Sequence, residues 1–173
     1  MVTTVRYTTV RTIGIASLSL LGALALPFVV HSIPHAGPVP LGAQLLPIFY
    51  VGLILVLRGH ALPAFAVAAL APWVNQQVTG MPAGPMLETL TLELVAFTAL
   101  LLLARRTLPD AARFLGPLAY LGAYAIARAF LAPDALSFAA LGSTVSAAWP
   151  GLLVLFVIGA LLGRTRRAPG TAA

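Results

Sequence analysis

Two carboxylates and one guanidinium stand inside apolar stretches of this chain: Glu88, Glu93 and Arg128. A charged side chain at the centre of a bilayer costs about 2.5 to 3.5 kcal/mol on insertion scales, so each such group needs a partner or a task. An arginine and a carboxylate at one depth form a structural pair between helices. The same groups also suit a zwitterionic or amide-bearing solute, and on the sequence both roles stay open. The carboxylates belong to residues 71–93, APWVNQQVTGMPAGPMLETLTLE, the most polar passage between two long apolar runs. It adds the amides Asn75, Gln76 and Gln77 and a Thr-Gly-Met-Pro turn that starts at Thr79. We read this passage as one wall and the mouth of a small-molecule pocket. Its expected contacts are Asn75, Gln76, Thr79, Glu88, Glu93 and Arg128. Trp149 offers a flat face for stacking, and the alternative for Trp149 and Trp73 is packing or anchoring at the membrane interface.

Other chemistries find no residues to carry them. There is no cysteine, which removes disulfides, thiolate nucleophiles and thiolate metal sites. There is no lysine, so no Walker A loop, and neither G-x-S-x-G nor H-E-x-x-H occurs. No catalytic residue and no cofactor are expected, and the chain is not expected to be an enzyme. His31 and His35 have the i, i+4 spacing of a metal pair, but Pro34 lies between them and no acidic residue is near, so no metal site is expected. Ser143, Thr144 and Ser146 either line the pocket or bond to their own backbone, the second being favoured for these residue types.

The elements that must position these groups are membrane helices. The chain is 60% hydrophobic and 8% charged with mean hydropathy +1.00, where soluble domains carry about 25% charged residues. Apolar runs long enough to span a bilayer recur at residues 13–33, 41–57, 61–78, 85–104, 114–131 and 136–162. The pattern predicts an all-α, polytopic bundle of six transmembrane helices over residues 13–163, between an N-terminal arm, 1–12, and a basic tail, 164–173. A signal peptide ending at Ala23-Leu24-Ala25 is the rival for the first run, but the apolar stretch continues to Val30. Pro150-Gly151 predicts a kink or break in the last span.

The net charge of +6 does not point to nucleic acid, because the arginines form short clusters between spans without aromatic interleaving. With the N-terminus inside, every arginine except Arg128 falls on the cytoplasmic side, so both termini are expected there, in a multi-pass protein of the cell membrane. This topology turns position into depth. Glu88 then sits about one turn below the outer surface, Glu93 about 12 Å below it, and Arg128 about one turn below it. Glu88 is thus the expected partner of Arg128. Glu93, five residues on, points about 140° away from Glu88. The polar groups gather in the outer half, as in a cavity that opens outward.

The passage PWVNQQVTGMPAGPMLETLTLEL resembles the region from helix three to helix four of the substrate-binding S components of energy-coupling factor (ECF) vitamin transporters. LLPIFYVGLILVLRG is similar to that family's second helix, and AYAIARAF with SAAWPGLLVLFVIGALL to its fifth and sixth. The resemblance implies capture of a vitamin or related metabolite from outside and its delivery inward. It also implies partners: a membrane T subunit and two ATPase subunits. In that family an Ala-x-x-x-Ala face on helix one docks the T subunit, and the nearest match here is Ser19-x-x-x-Ala23. The alternative is a small non-transport integral membrane protein, an accessory subunit or assembly factor, whose outer polar groups would pair among themselves and leave no cavity.

Overall fold

The structure is a computed structural model that describes the backbone of residues 2–164 and the side chains of residues 9–162. The tail beyond Arg164, with Arg166 and Arg167, lies outside the described residues. Among these residues every regular element is helical: α1 Val2–His31, α2 Leu41–Leu45, α3 Pro47–Arg58, α4 Ala61–Thr79, α5 Pro85–Thr107, α6 Gly116–Leu131 and α7 Phe138–Arg164. Single 3-10 turns cover Ala112–Phe114 and Pro133–Ala135. The helix α1 begins at Val2, so residues 2–12 continue into the first apolar stretch without a break.

Among the described residues, four stretches are long and apolar enough to cross a membrane: Thr9–His31, Leu41–Arg58, Pro85–Thr107 and Phe138–Leu162. The other two expected spans fall short for different reasons. α6 has 16 residues, about 24 Å of helix against a hydrocarbon core of about 30 Å. α4 has 19 residues, but its last turns carry Asn75, Gln76 and Gln77, which lower its apolarity. The outer surface of the bundle is apolar: Phe130, Phe138, Val78 and Leu62 are all largely exposed, as they are on helices that face lipid.

The core is built around α3, which packs on α1, α4, α5 and α7. Phe49 of α3 meets Phe97 of α5 and Tyr120 of α6 edge to face, with ring centroids 5.2 Å and 5.1 Å apart. Such T-shaped pairs add about 0.5 to 1.5 kcal/mol each beyond the area they bury. The most extensive helix pair is α5 on α6. On α6 the stripe Ala119, Ala123 and Ala127 is buried, and small side chains of this kind let helices approach closely. Ala64 and Ala68 do the same for α4.

Two breaks expected or unexpected from the sequence change places. The second apolar run is not one helix. Leu46 adopts a left-handed conformation, φ 54° and ψ 40°, and separates α2 from α3. Pro47 explains the position, because its ring clashes with a continuing helix and it has no N–H to donate. The Leu45 carbonyl, left without a helical partner, accepts the Tyr50 hydroxyl instead. Conversely, α7 runs unbroken through Pro150 and Gly151. Gly151 serves a close approach: a Cβ there would lie 2.6 Å from the Gln44 carbonyl oxygen and 2.7 Å from the Leu45 carbonyl carbon. The glycine therefore belongs to the seam between α7 and the break in the facing helix.

Candidate functional site

The α4–α5 turn accounts for two of the expected contacts. Gly80, at φ 76°, ends α4, and its N–H donates to the Gln76 carbonyl at 2.8 Å. The Asn75 amide donates to the Met81 carbonyl at 3.0 Å. The Thr79 hydroxyl donates to the Asn75 carbonyl at 2.8 Å and accepts from the Met81 N–H at 3.2 Å. The Met81–Pro82 peptide is cis, and Pro82 is buried beneath the turn. Asn75 and Thr79 thus hold the turn together, while Gln76 is half-buried beside them.

Glu88 and Glu93 differ as their spacing demands: Glu88 is exposed and Glu93 is half-buried. Glu88 stands in the first turn of α5, where a negative charge meets the positive end of the helix dipole. Arg128 occupies the last turn of α6, where a positive charge is favoured on the same ground. The expected Arg128–Glu88 pair is not formed among the described residues. No Arg128–Glu93 ion pair forms among them either, although Glu93 and Tyr120 lie within electrostatic range of the Arg128 guanidinium, whose carbon is 5.2 Å from the Tyr124 ring centroid.

Helix length explains why Arg128 stands level with Glu93 and not with Glu88. α5 and α6 start level at their short connector, but α5 has 23 residues and α6 has 16. Counted from the connector, Arg128 lies about 18 Å along α6, Glu93 about 21 Å along α5, and Glu88 about 28 Å along α5. The outer end of α6 therefore stops about 10 Å short of the outer end of α5, and Arg128 comes level with Glu93. Tyr120, Tyr124 and Arg128 form an i, i+4, i+8 stripe on one face of α6. The two tyrosines were readable from that spacing, since an arginine one turn from a tyrosine on a helix places its guanidinium over the ring. The result is a cluster of one carboxylate, one guanidinium and two phenols between α5 and α6. The Arg128 Nε is buried within it without a hydrogen-bond partner.

The remaining expected residues lie elsewhere. Trp149 is 60% exposed and Trp73 47% exposed, so both rings face away from the helix bundle. Ser143, Thr144 and Ser146 donate to carbonyls of their own helix, Ala140 twice and Ser143 once, at 2.8, 2.9 and 2.9 Å. The His31 Nδ1 bonds the Pro27 carbonyl at 2.7 Å, and the Gln44 amide donates to the His35 Nε2 at 3.2 Å. Of the proposed docking pair, Ala23 is fully buried among the chain's own helices and Ser19 is half-buried.

A cavity of about 240 Å³ opens at the other end of α5 and α6, beside their connector. Leu57, Arg105, Asp110, Arg113 and Leu162 line it. Arg105 Nη1 donates to the Val56 carbonyl at 2.6 Å and so closes the C-terminal end of α3. The Arg113 guanidinium carbon lies 4.6 Å from the Phe114 ring centroid, and its Nε is buried without a hydrogen-bond partner. Compared with protein-family models, curated proteins and solved structures, the chain matches none of them.

Proposed function

We propose that the chain is the membrane-embedded substrate-binding subunit of an ECF-type importer. In this reading it crosses the cell membrane six times with both termini in the cytoplasm. It captures a vitamin or related small metabolite from outside and delivers it inward with a T subunit and two ATPase subunits. The observation that carries the proposal is the cluster of Glu93, Arg128, Tyr120 and Tyr124 between α5 and α6. Ionisable residues within membrane helices are rare and mark ligand or ion pathways. The short α6 supports it further: past Leu131 the chain becomes a connector with one 3-10 turn, Pro133–Ala135, and non-helical backbone at membrane depth is tolerated where it is buried or lines a cavity. A carboxylate, a guanidinium and two phenols suit a zwitterionic or amide-bearing heterocycle, with the phenols offering both stacking faces and hydroxyl donors.

The test is ligand capture by the detergent-extracted protein. Small molecules that co-purify with the parent are identified by mass spectrometry and compared with those held by Glu93→Gln and Arg128→Ala. Both variants are expected to reach the membrane and to lose the ligand. Equal retention by both would overturn the assignment of the pocket. A second reading, a non-transport accessory subunit or assembly factor, is favoured by the local bonding of Asn75 and Thr79, which leaves fewer groups to meet a solute. Co-purification of a T subunit and two ATPases separates the two readings.

A further inference from the structure

The cavity at the α5–α6 connector plays no part in the function proposed above, and its chemistry is different. Two arginines from separate elements and one aspartate, among the described residues, face a single space. Arg105 is anchored by its bond to the Val56 carbonyl, so its position is set before any ligand arrives. Arg113 is held over Phe114 and keeps an unpartnered, buried Nε. Buried donors without partners are uncommon and call for an explanation. A guanidinium presents its donors in a rigid fork that matches phosphate oxygens, and two such forks can grip one phosphate group.

We infer that this cavity binds a phosphate group, that of an anionic lipid at the membrane interface. The placement of this end at the cytoplasmic interface rests on the topology proposed above. The size argues for a headgroup: about 240 Å³ lies below the range of about 300 to 1,000 Å³ usual for small-molecule pockets. Leu57 and Leu162, at the ends of α3 and α7, supply an apolar rim against which a glycerol backbone can lie. Basic pockets between membrane helices on the cytoplasmic side are suited to anionic headgroups for the same reasons. Asp110 opposes the phosphate and limits its affinity.

The test uses native mass spectrometry of the full chain in detergent, with phosphatidylglycerol, phosphatidylcholine and inorganic phosphate as separate probes. Phosphatidylglycerol is expected to bind in preference to phosphatidylcholine, to weaken about fivefold in Arg113→Gln, and to tighten in Asp110→Asn. Equal binding of both lipids, or no response to either substitution, overturns the proposal. If Arg113→Gln fails to fold, Asp110→Asn decides alone: tighter phosphatidylglycerol binding supports the site, and unchanged or weaker binding overturns it. Binding of inorganic phosphate without phosphatidylglycerol retains the phosphate chemistry and overturns the lipid as its source. Extraction of the chain without detergent would instead overturn the membrane placement, and the inorganic phosphate arm would still read the cavity.

Discussion

The backbone of Gly151 in α7 lies directly on the Gln44–Leu45 backbone at the end of α2, with room for a hydrogen atom and none for a methyl group. Gly151→Ala should therefore destabilise the fold by about 1 to 3 kcal/mol, since overpacking forces backbone shifts. Gly142→Ala on the same helix is the control. A Cβ at Gly142 meets nothing within 4 Å, so there alanine should be neutral or stabilise by up to about 1 kcal/mol through helix propensity. Thermal unfolding of both variants in detergent checks the pair. Equal effects would mean that the α2–α7 seam is looser than described.

Arg128 should be coupled to Glu93 and not to Glu88. A double-mutant cycle with Arg128→Gln and Glu93→Gln is expected to give an interaction energy of about 0.5 to 3 kcal/mol, the range for residues in one network. The same cycle with Glu88→Gln should give about zero, because Glu88 is exposed and about 10 Å further along α5. Midpoints of thermal unfolding supply the energies. Coupling to Glu88 would restore the pairing read from sequence depth alone.

Thr98 is 1% exposed, and its hydroxyl has no hydrogen-bond partner. It sits in the core beside Phe97 and Gly52. Thr98→Val keeps the shape and removes the unpaired group, so it should stabilise by about 1 kcal/mol. A lower melting temperature for Thr98→Val would show that the hydroxyl has a partner in the folded protein.

Arg105→Met should cost about 1.5 to 3 kcal/mol, the range for a hydrogen bond to a charged group, because it removes the charged donor from the Val56 carbonyl and leaves it the Gly59 N–H at 3.0 Å. Hydrogen exchange should show the loss as faster opening of the last turn of α3, around Arg58 and Gly59. An unchanged exchange rate there would mean that the bond contributes nothing to that helix end. Arg106, exposed in the same turn of α5, serves as the neutral comparison.

The helical content was legible because long apolar runs punctuated by proline, glycine and arginine leave few alternatives. Pro47, Gly59, Gly80 and Pro85 all stand at helix ends, as their backbone preferences require. The opposed orientations of Glu88 and Glu93 followed from helical periodicity. The level of Arg128 on α5 did not follow, because depth was counted from a surface assumed to be common to all helices. α6 is seven residues shorter than α5, and only the packing of the two from their shared connector reveals that offset. Asn75 and Thr79 had the types of ligand contacts, yet their side chains reach only as far as the turn they close.

The sequence by itself determined that this chain is helical and apolar, and which residues end its helices, because those properties depend on each residue and its near neighbours along the chain. The tertiary structure alone decided that the second apolar run breaks at Leu46 while α7 does not break at Pro150. It alone decided that Arg128 stands with Glu93, Tyr120 and Tyr124, and that Arg105 and Arg113 share a cavity. These relationships join residues far apart in the chain, and their geometry depends on how helices of unequal length are aligned, which no local spacing encodes.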